Sequence, residues 1–279
     1  MAASFFALRR LRGFDATANP PWQMVPVGFW REVGLSEAAG LTLSSTNSAV
    51  ATAEFARENP ASLARAGNRK VIVHGHRKGS AVIEARRRSR VVCRLEVGVK
   101  ASKTVKVAFN FVRDNAGHRT SRALASVDGL VRTMNAIYTP QTYVHIVKRT
   151  ARWVQVNKNL GRVVRYSAHL AGVPAAQHEW DDVIAHRDNA AHWNVFFVWE
   201  YEQDSTPFQD HTDAGNLGGN CLFEDQAGVD VGETLAHELG HYLGVGDFYN
   251  SAQTDWLMYG YTDVRGRFIP KDHANTMNP

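Results

Sequence analysis

Cysteine is scarce in this chain: only Cys93 and Cys221 occur among 279 residues. That shortage argues against a disulfide framework. Cys93 alternates with Leu95, Val97 and Val99 and reads as a small hydrophobe facing a core. No apolar run reaches membrane-spanning length, so no membrane span is expected. A Sec-type leader is not visible either. The apolar patch from Ser4 to Leu8 is too short for a signal core, and Arg9, Arg10 and Arg12 lie on its wrong side. An extracellular protein, or one delivered by a leaderless route, is the favoured expectation, with the cytoplasm as the alternative. A net charge of +5 favours acidic partners, but no nucleic-acid recognition motif accompanies it, and nucleic acid is not an expected partner.

The hydrophobic content, 44%, is enough to build real cores in one large or two ordinary domains. Residues 1–20 read as a loosely held arm ending at Asn19-Pro20-Pro21. Residues 21–101 show short strands separated by turn signals and no amphipathic helix. The character changes in residues 102–279. Val105, Val107, Phe109 and Phe111 alternate as in a strand, and Val127, Leu130, Val131, Met134, Ile137 and Tyr138 recur at helical spacing until Pro140 is expected to stop them. Tyr143 to Val156 is strand-like, Trp193 to Tyr201 is a buried central strand by its continuous apolar run, and Asn220 to Glu224 is a short strand. Pro270 to Asn278 reads as a closing helix.

The most informative stretch is His237-Glu238-Leu239-Gly240-His241-Tyr242-Leu243-Gly244-Val245-Gly246-Asp247. Residues four apart on a helix lie one above the other, so His237 and His241 can aim both imidazoles at one cation. Asp230 and Glu233 have the spacing of a capping box for that helix. Glu238 lies beside the two rings, placed to work on water rather than on the metal. Gly244 can take the positive φ that ends a helix, and the chain then offers Asp247 as a third ligand. One catalytic zinc is the expected cofactor, since such a site uses three protein ligands and an open position. The alternative is a surface helix with two solvated histidines.

With Leu257-Met258-Tyr259-Gly260 downstream, this motif resembles the metzincin superfamily of zinc peptidases, H-E-x-x-H-x-x-G-x-x-H/D followed by a methionine turn. The Asp variant is similar to snapalysin, and His237 to Tyr249 also resembles the immune inhibitor A peptidases. The resemblance implies an α+β metzincin-like zincin domain that hydrolyses peptide bonds by Glu238-assisted attack of a zinc-bound water, with Met258 as a floor under the metal. Tyr259 or Tyr261 is the candidate donor to the tetrahedral intermediate, the alternative being a pocket wall. Related families place such a Tyr two residues after the Met, where this chain has Gly260. Gly218 to Glu224 resembles the edge strand of matrixins, against which an extended substrate pairs. Asp210, Asp213, Glu224 and Asp225 could hold calcium, against the alternative of a solvated acidic loop.

Leu41 to Thr52 and Val71 to Ala85, followed by the strand Val91 to Val99, resemble bacterial Ig-like domains of the group 2 type. The fold expectation is therefore multidomain: an all-β Ig-like sandwich followed by the zincin domain. The Ig-like module would serve to bind a partner protein or an anionic surface, with Arg86-Arg87-Arg88-Ser89-Arg90 as either a contact or a solvated hairpin tip. His74 and His76, and the group His178, Glu179, Asp181, Asp182, His186 and His192, are lesser metal-ligand candidates. The leading function is a zinc metalloendopeptidase acting on protein or peptide. The alternatives are a secreted or delivered toxin whose peptidase acts on host or competitor proteins, and a catalytically idle Ig-like binding protein.

Overall fold

The computed structural model describes residues 2–165, 179–202, 214–225, 231–261 and 266–279. The chain divides into two compact units, one of residues 1–103, 137–144 and 267–279, the other of residues 104–136 and 145–266.

In the first unit the strands are β1 (Phe5–Ala7), β2 (Phe14–Asp15), β3 (Trp22–Pro26), β4 (Trp30–Leu35), β5 (Thr42–Ser45) and β6 (Ala51–Phe55), then, after α1 (Ala61–Arg65), β7 (Arg69–Gly75), β8 (Gly79–Arg87) and β9 (Arg90–Lys100). They form two sheets, in the orders β1-β4-β7-β6 and β2-β3-β9-β8-β5. Alternate residues turn inward, as a strand with one covered face requires. Val33, Leu35, Val71 and Val73 from one sheet share a core with Ile83, Leu95, Val97 and Val99 from the other. The β8–β9 hairpin turns at Arg88, which takes φ 58°. Its arginines flank that exposed turn, with Arg86 and Arg94 both paired to Glu84.

Further along come β10 (Lys103–Arg113), α2 (Val127–Thr142), β11 (Val144–Gln155), β12 (Val164–Arg165), α3 (Glu179–Ile184), β13 (Trp193–Val198), β14 (Tyr201–Glu202), β15 (Ala214–Leu217), β16 (Asn220–Glu224), α4 (Val231–Tyr242) and α5 (Lys271–Met277). The large sheet runs β11-β10-β13-β16-β15. Strands β10, β13 and β16 are mutually parallel, and β15 returns antiparallel to β16. Every residue of β13 is buried, in line with its unbroken apolar run. Phe196, Val198 and Leu222 on the sheet pack with Trp180 and Val183 of α3.

Several expectations need correction. The all-β Ig-like sandwich followed by a separate zincin domain is not what the chain forms: it is a mixed α/β structure in which no Ig-like domain stands apart. Residues 137–144 and 267–279, including α5, belong to the same compact unit as residues 1–103, and β3 pairs with β9 in parallel. Residues 5–7 and 14–15 are no loose arm. They pair as β1 and β2, and Phe5 and Phe14 are buried. Helix α2 continues past Pro140 to Thr142. The side chains of Gln141 and Thr142 donate to the carbonyls of Ile137 and Tyr138, and Tyr143 at φ 59° ends the helix instead.

Candidate metal centre

Helix α4 is buried along almost its whole length, from Gly232 to Gly240 with only Glu233 partly exposed. Its expected cap residue Asp230 lies outside the described residues, and the helix begins at Val231, next to it. The C-terminus is a Schellman motif. Gly244 sits at φ 95° and its N–H donates to His241 O at 2.9 Å, while Val245 N–H reaches back to Gly240 O at 3.1 Å. That reversal turns the chain under the helix end and delivers Asp247.

The three expected ligands converge. His237 Nε2 lies 3.0 Å from His241 Nε2 and 3.0 Å from Asp247 Oδ1, and His241 Nε2 lies 3.4 Å from the same oxygen. A tetrahedral ion with bonds of roughly 2.0–2.1 Å needs ligand atoms about 3.3 Å apart, so this triangle fits one face of a zinc coordination shell. The far side of each imidazole is fixed. His237 Nδ1 bonds to Leu257 O and His241 Nδ1 to Val245 O, each at 2.9 Å. A carbonyl can only accept, so Nδ1 carries the proton and Nε2 is left to face the metal.

The charges agree with that role. Burial alone would raise the Asp247 carboxyl, yet hydrogen bonds and charge from His237 and His241 hold it well below the usual carboxylate range. Burial would lower the His241 imidazole, but the Asp247 hydrogen bond and the nearby Glu238 and Asp247 charges carry it above its ordinary value. The negative charge of Asp247 and Glu238 beside the rings is what a bound cation would meet.

Glu238 is on the same helix, 8% exposed, and forms with His237 and His241 a group whose potential ligand atoms lie within 4.8 Å of one another. Its carboxylate accepts a short hydrogen bond from the side-chain amide of Asn216. The same amide also donates to Glu238 O at 3.2 Å, and Asn216 Oδ1 accepts from Trp193 Nε1 at 3.1 Å. Asn216 is on β15, joined to β16 by the two-residue turn Gly218-Gly219 with both φ values positive, 52° and 80°. Nothing in the sequence marks this Asn, whose importance comes from a strand pairing.

The segment after Asp247 returns beneath the helix. Phe248 bridges Tyr259, Phe248 N–H donates to Met258 O, and Gly260 N–H donates to Phe248 O. Met258 is fully buried and Tyr259 nearly so, whereas Tyr261 is exposed. The Tyr249 hydroxyl donates to Asp247 Oδ2 at 3.4 Å, and the residue is 59% exposed. A side chain at position 260 would collide with the Tyr249 ring, its Cβ falling 2.3 Å from Cε1. Gly260 therefore makes room for Tyr249, which has ring contact with Tyr261, as does Tyr259.

Among the described residues the other candidates do not assemble. Asp210, Asp213 and His178 lie outside the described residues. Asp225 is taken by Thr120, Ser121 and Arg122, and Glu224 is buried in β16, so calcium finds no support there. Strand β16 is not an edge, because β13 and β15 flank it; β15 ends the sheet order. The Cys221 thiol is buried and its pKa is pushed far up by that burial, which keeps it protonated. His74 bonds to Glu54 and His76 to Thr52. Glu179 is buried against Arg165, and Asp182 pairs with Lys158. His237, Glu238 and His241 form a cluster of potential ligands, and Asp247 Oδ1 lies 3.0 and 3.4 Å from the two imidazoles.

The cluster of His237, Glu238 and His241, with Asp247 beside both rings, is compatible with a zinc site. No family model and no curated protein matches the chain. Among solved structures, archaemetzincin from Methanopyrus kandleri is similar at 12% identity and TM-score 0.41, over 62% of this chain and 93% of that one. The S-layer protein rSbsC(31-844) is similar at 19% identity and TM-score 0.24, over 32% of this chain and 12% of that one. A two-domain piece of the same S-layer protein, domains 5-6, is covered to 50% of its length at 16% identity and TM-score 0.23. This chain therefore spans half or less of those S-layer structures. At such identities and scores none of these likenesses defines a family or an activity for this chain. No helix among the described residues is long and apolar enough to cross a membrane.

Proposed function

We propose that this protein is a zinc-dependent endopeptidase whose site works as that of the metzincin peptidases does. The observation that carries the reading is the meeting of His237 Nε2, His241 Nε2 and Asp247 Oδ1 within 3.0–3.4 Å of one another, beside a buried carboxylate. Zinc bound there supplies Lewis acidity, polarising a carbonyl and acidifying water.

The remaining work falls to the chain's own side chains. His237 and His241 would hold the ion through Nε2, their rings fixed by the Leu257 and Val245 carbonyls. Asp247 contributes the single negative charge of the ligand set. Glu238 is the general base: it takes the proton of the attacking water and returns it to the departing amine. Asn216 keeps the Glu238 carboxylate pointed at the site, since its amide is anchored on the opposite side by Trp193. An extended peptide laid along β15, the last strand in the sheet order, would pass beside Asn216 and Glu238 and find backbone partners there. The Tyr249 hydroxyl, exposed and tethered to Asp247, is a phenol beside the ligand set.

The test is Glu238→Ala. The variant should bind one zinc per chain, as the parent does, while turnover of a peptide library falls about 10²–10⁴-fold. Cleavage at the parental rate, or cleavage that survives chelation, would remove the assignment.

A further inference from the structure

The unit containing residues 1–103 carries a second polar site, unrelated to the metal centre. A cavity of about 240 Å³ is lined by Arg9, Arg12, Trp30, Arg31 and Glu32. Three guanidinium groups around one small space repel each other unless an anion lies among them. Among the described residues no carboxylate comes within 4.0 Å of any of the three, and Glu32, the acid in the lining, is engaged by Lys70 at 3.1 Å.

Arg31 is the sharpest sign. Its Nε is buried without a hydrogen-bond partner. Its other two nitrogens make long contacts only, 3.4 Å to Trp30 O and 3.5 Å to Pro140 O. The two terminal nitrogens, held only by those long contacts, keep donor capacity for an oxyanion at the cavity. The arrangement is also held in place before any ligand arrives. The buried Gln23 side chain donates to Arg12 O at 2.9 Å and to Met24 O at 2.7 Å, and Met24 N–H donates to Gly13 O at 2.7 Å. Gly13, at φ 74°, lets the strands approach that closely, because a Cβ there would lie 2.8 Å from that of Met24. The loop bearing Arg9 and Arg12 is thus pinned by buried amide bonds rather than by ion pairs.

Trp30 lines the same cavity and is 55% exposed, an aromatic side chain among the charges. The volume is below the roughly 300–1,000 Å³ of most ligand clefts, enough for one ring and its acidic group but tight for a nucleotide. We propose that this cavity binds the acidic group of an anionic sugar, a phosphate or a carboxylate, with Arg9, Arg12 and Arg31 on the oxyanion and Trp30 stacked on the ring.

Calorimetric titration of the full chain with glucose 6-phosphate, glucuronate, inorganic phosphate and glucose tests this. Saturable binding of one or both anionic sugars is expected, with weaker binding of inorganic phosphate and none of glucose. The two sugars separate phosphate from carboxylate as the preferred acid. Arg9→Ala and Arg12→Ala lie at exposed positions and should each weaken binding about tenfold at an unchanged Tm. Trp30→Ala should remove the advantage of the sugar over inorganic phosphate while leaving phosphate itself bound. The proposal is overturned if no probe binds at about 10 mM, a range weaker than any specific site needs. It is equally overturned if a folded Arg9→Ala/Arg12→Ala double variant binds as the parent does, or if Trp30→Ala affects nothing.

Discussion

Replacing Asn216 by Ala should disable Glu238 without touching a metal ligand. Asn216 gives its amide hydrogens to the Glu238 carboxylate and main-chain oxygen, and its carbonyl takes the indole N–H of the fully buried Trp193. A hydrogen bond to a charged group is worth about 1.5–3 kcal/mol, and stranding the Trp193 donor costs about 1–3 kcal/mol more. Global stability should therefore fall by about 2.5–6 kcal/mol, a Tm shift of roughly 10–15 °C for a chain of this size. The catalytic consequence has a different signature. The lost bond favoured the ionised carboxylate, so its absence raises the proton affinity of Glu238. At 1.36 kcal/mol per pH unit, the acid limb of kcat/KM should move upward by about one to two units. Zinc content should not change. The assay is the pH profile of peptide cleavage at saturating zinc, run with Asn216→Asp as a near-isosteric control whose like charge should push the limb further. If the Asn216→Ala profile superimposes on the parent while the Tm drops, Asn216 is a structural prop and the positioning argument fails.

Zinc itself should stabilise the fold: at a free concentration of about 1,000 times Kd the linkage is worth about 4 kcal/mol, or roughly 10 °C in Tm. Differential scanning calorimetry with and without chelator measures this, and the shift should vanish in His241→Gln; an equal shift in that variant would mean that the ion binds elsewhere. Burial pushes the His273 imidazole down to about 4 from 6.5. As pH falls below 6.5 the unfolded chain gains a proton that the folded chain does not, so stability is lost between pH 6.5 and 4 and the loss then levels off. At 1.36 kcal/mol per unit the loss is about 3 kcal/mol. Urea denaturation of His273→Gln should show that part of the pH dependence gone, and a slope identical to the parent's would contradict the burial argument. Gly232→Ala would place a Cβ 2.6 Å from Thr133 Cγ2, an overpacking cost of about 1–3 kcal/mol that outweighs the helix gain of about 1 kcal/mol. Chemical denaturation should find the variant less stable and Thr133→Ala a partial rescue; a stabilised single variant would mean that no such close approach exists.

What the sequence made legible at the metal centre is what one helix and its cap encode. His237, Glu238, His241, Gly244 and Asp247 fall within a single helical turn-and-return, where 3.6-residue geometry and one left-handed glycine suffice to bring them together. The groups that orient them are encoded nowhere near. Leu257 O and Asn216 reach the site only because the chain passes under α4 and because β15 folds back on β16, and neither a carbonyl nor a lone Asn leaves a pattern in sequence. The same distinction explains the fold. Alternation in Val71 to Val73 or Leu95 to Val99 shows that a face is covered, but not by what. A parallel pairing such as β3 with β9 joins segments some seventy residues apart, as Gln23↔Val97 does, without any turn between them to announce it.

The same limit applies to residues 5–7 and 14–15. A strand of two or three residues is too short to display any period, so β1 and β2 looked like an arm. Their pairing is nonetheless what fixes Arg12 beside Arg31: Gly13 and Gln23 can clamp the loop only once β2 lies on β3. Arginines that read as part of a loosely held arm in one dimension therefore line, after folding, one cavity together with Arg31, whose Nε is buried and unsatisfied. The charge was always visible. Its convergence required contacts made across sheets, and it is convergence, not charge, that turns arginines into a binding site.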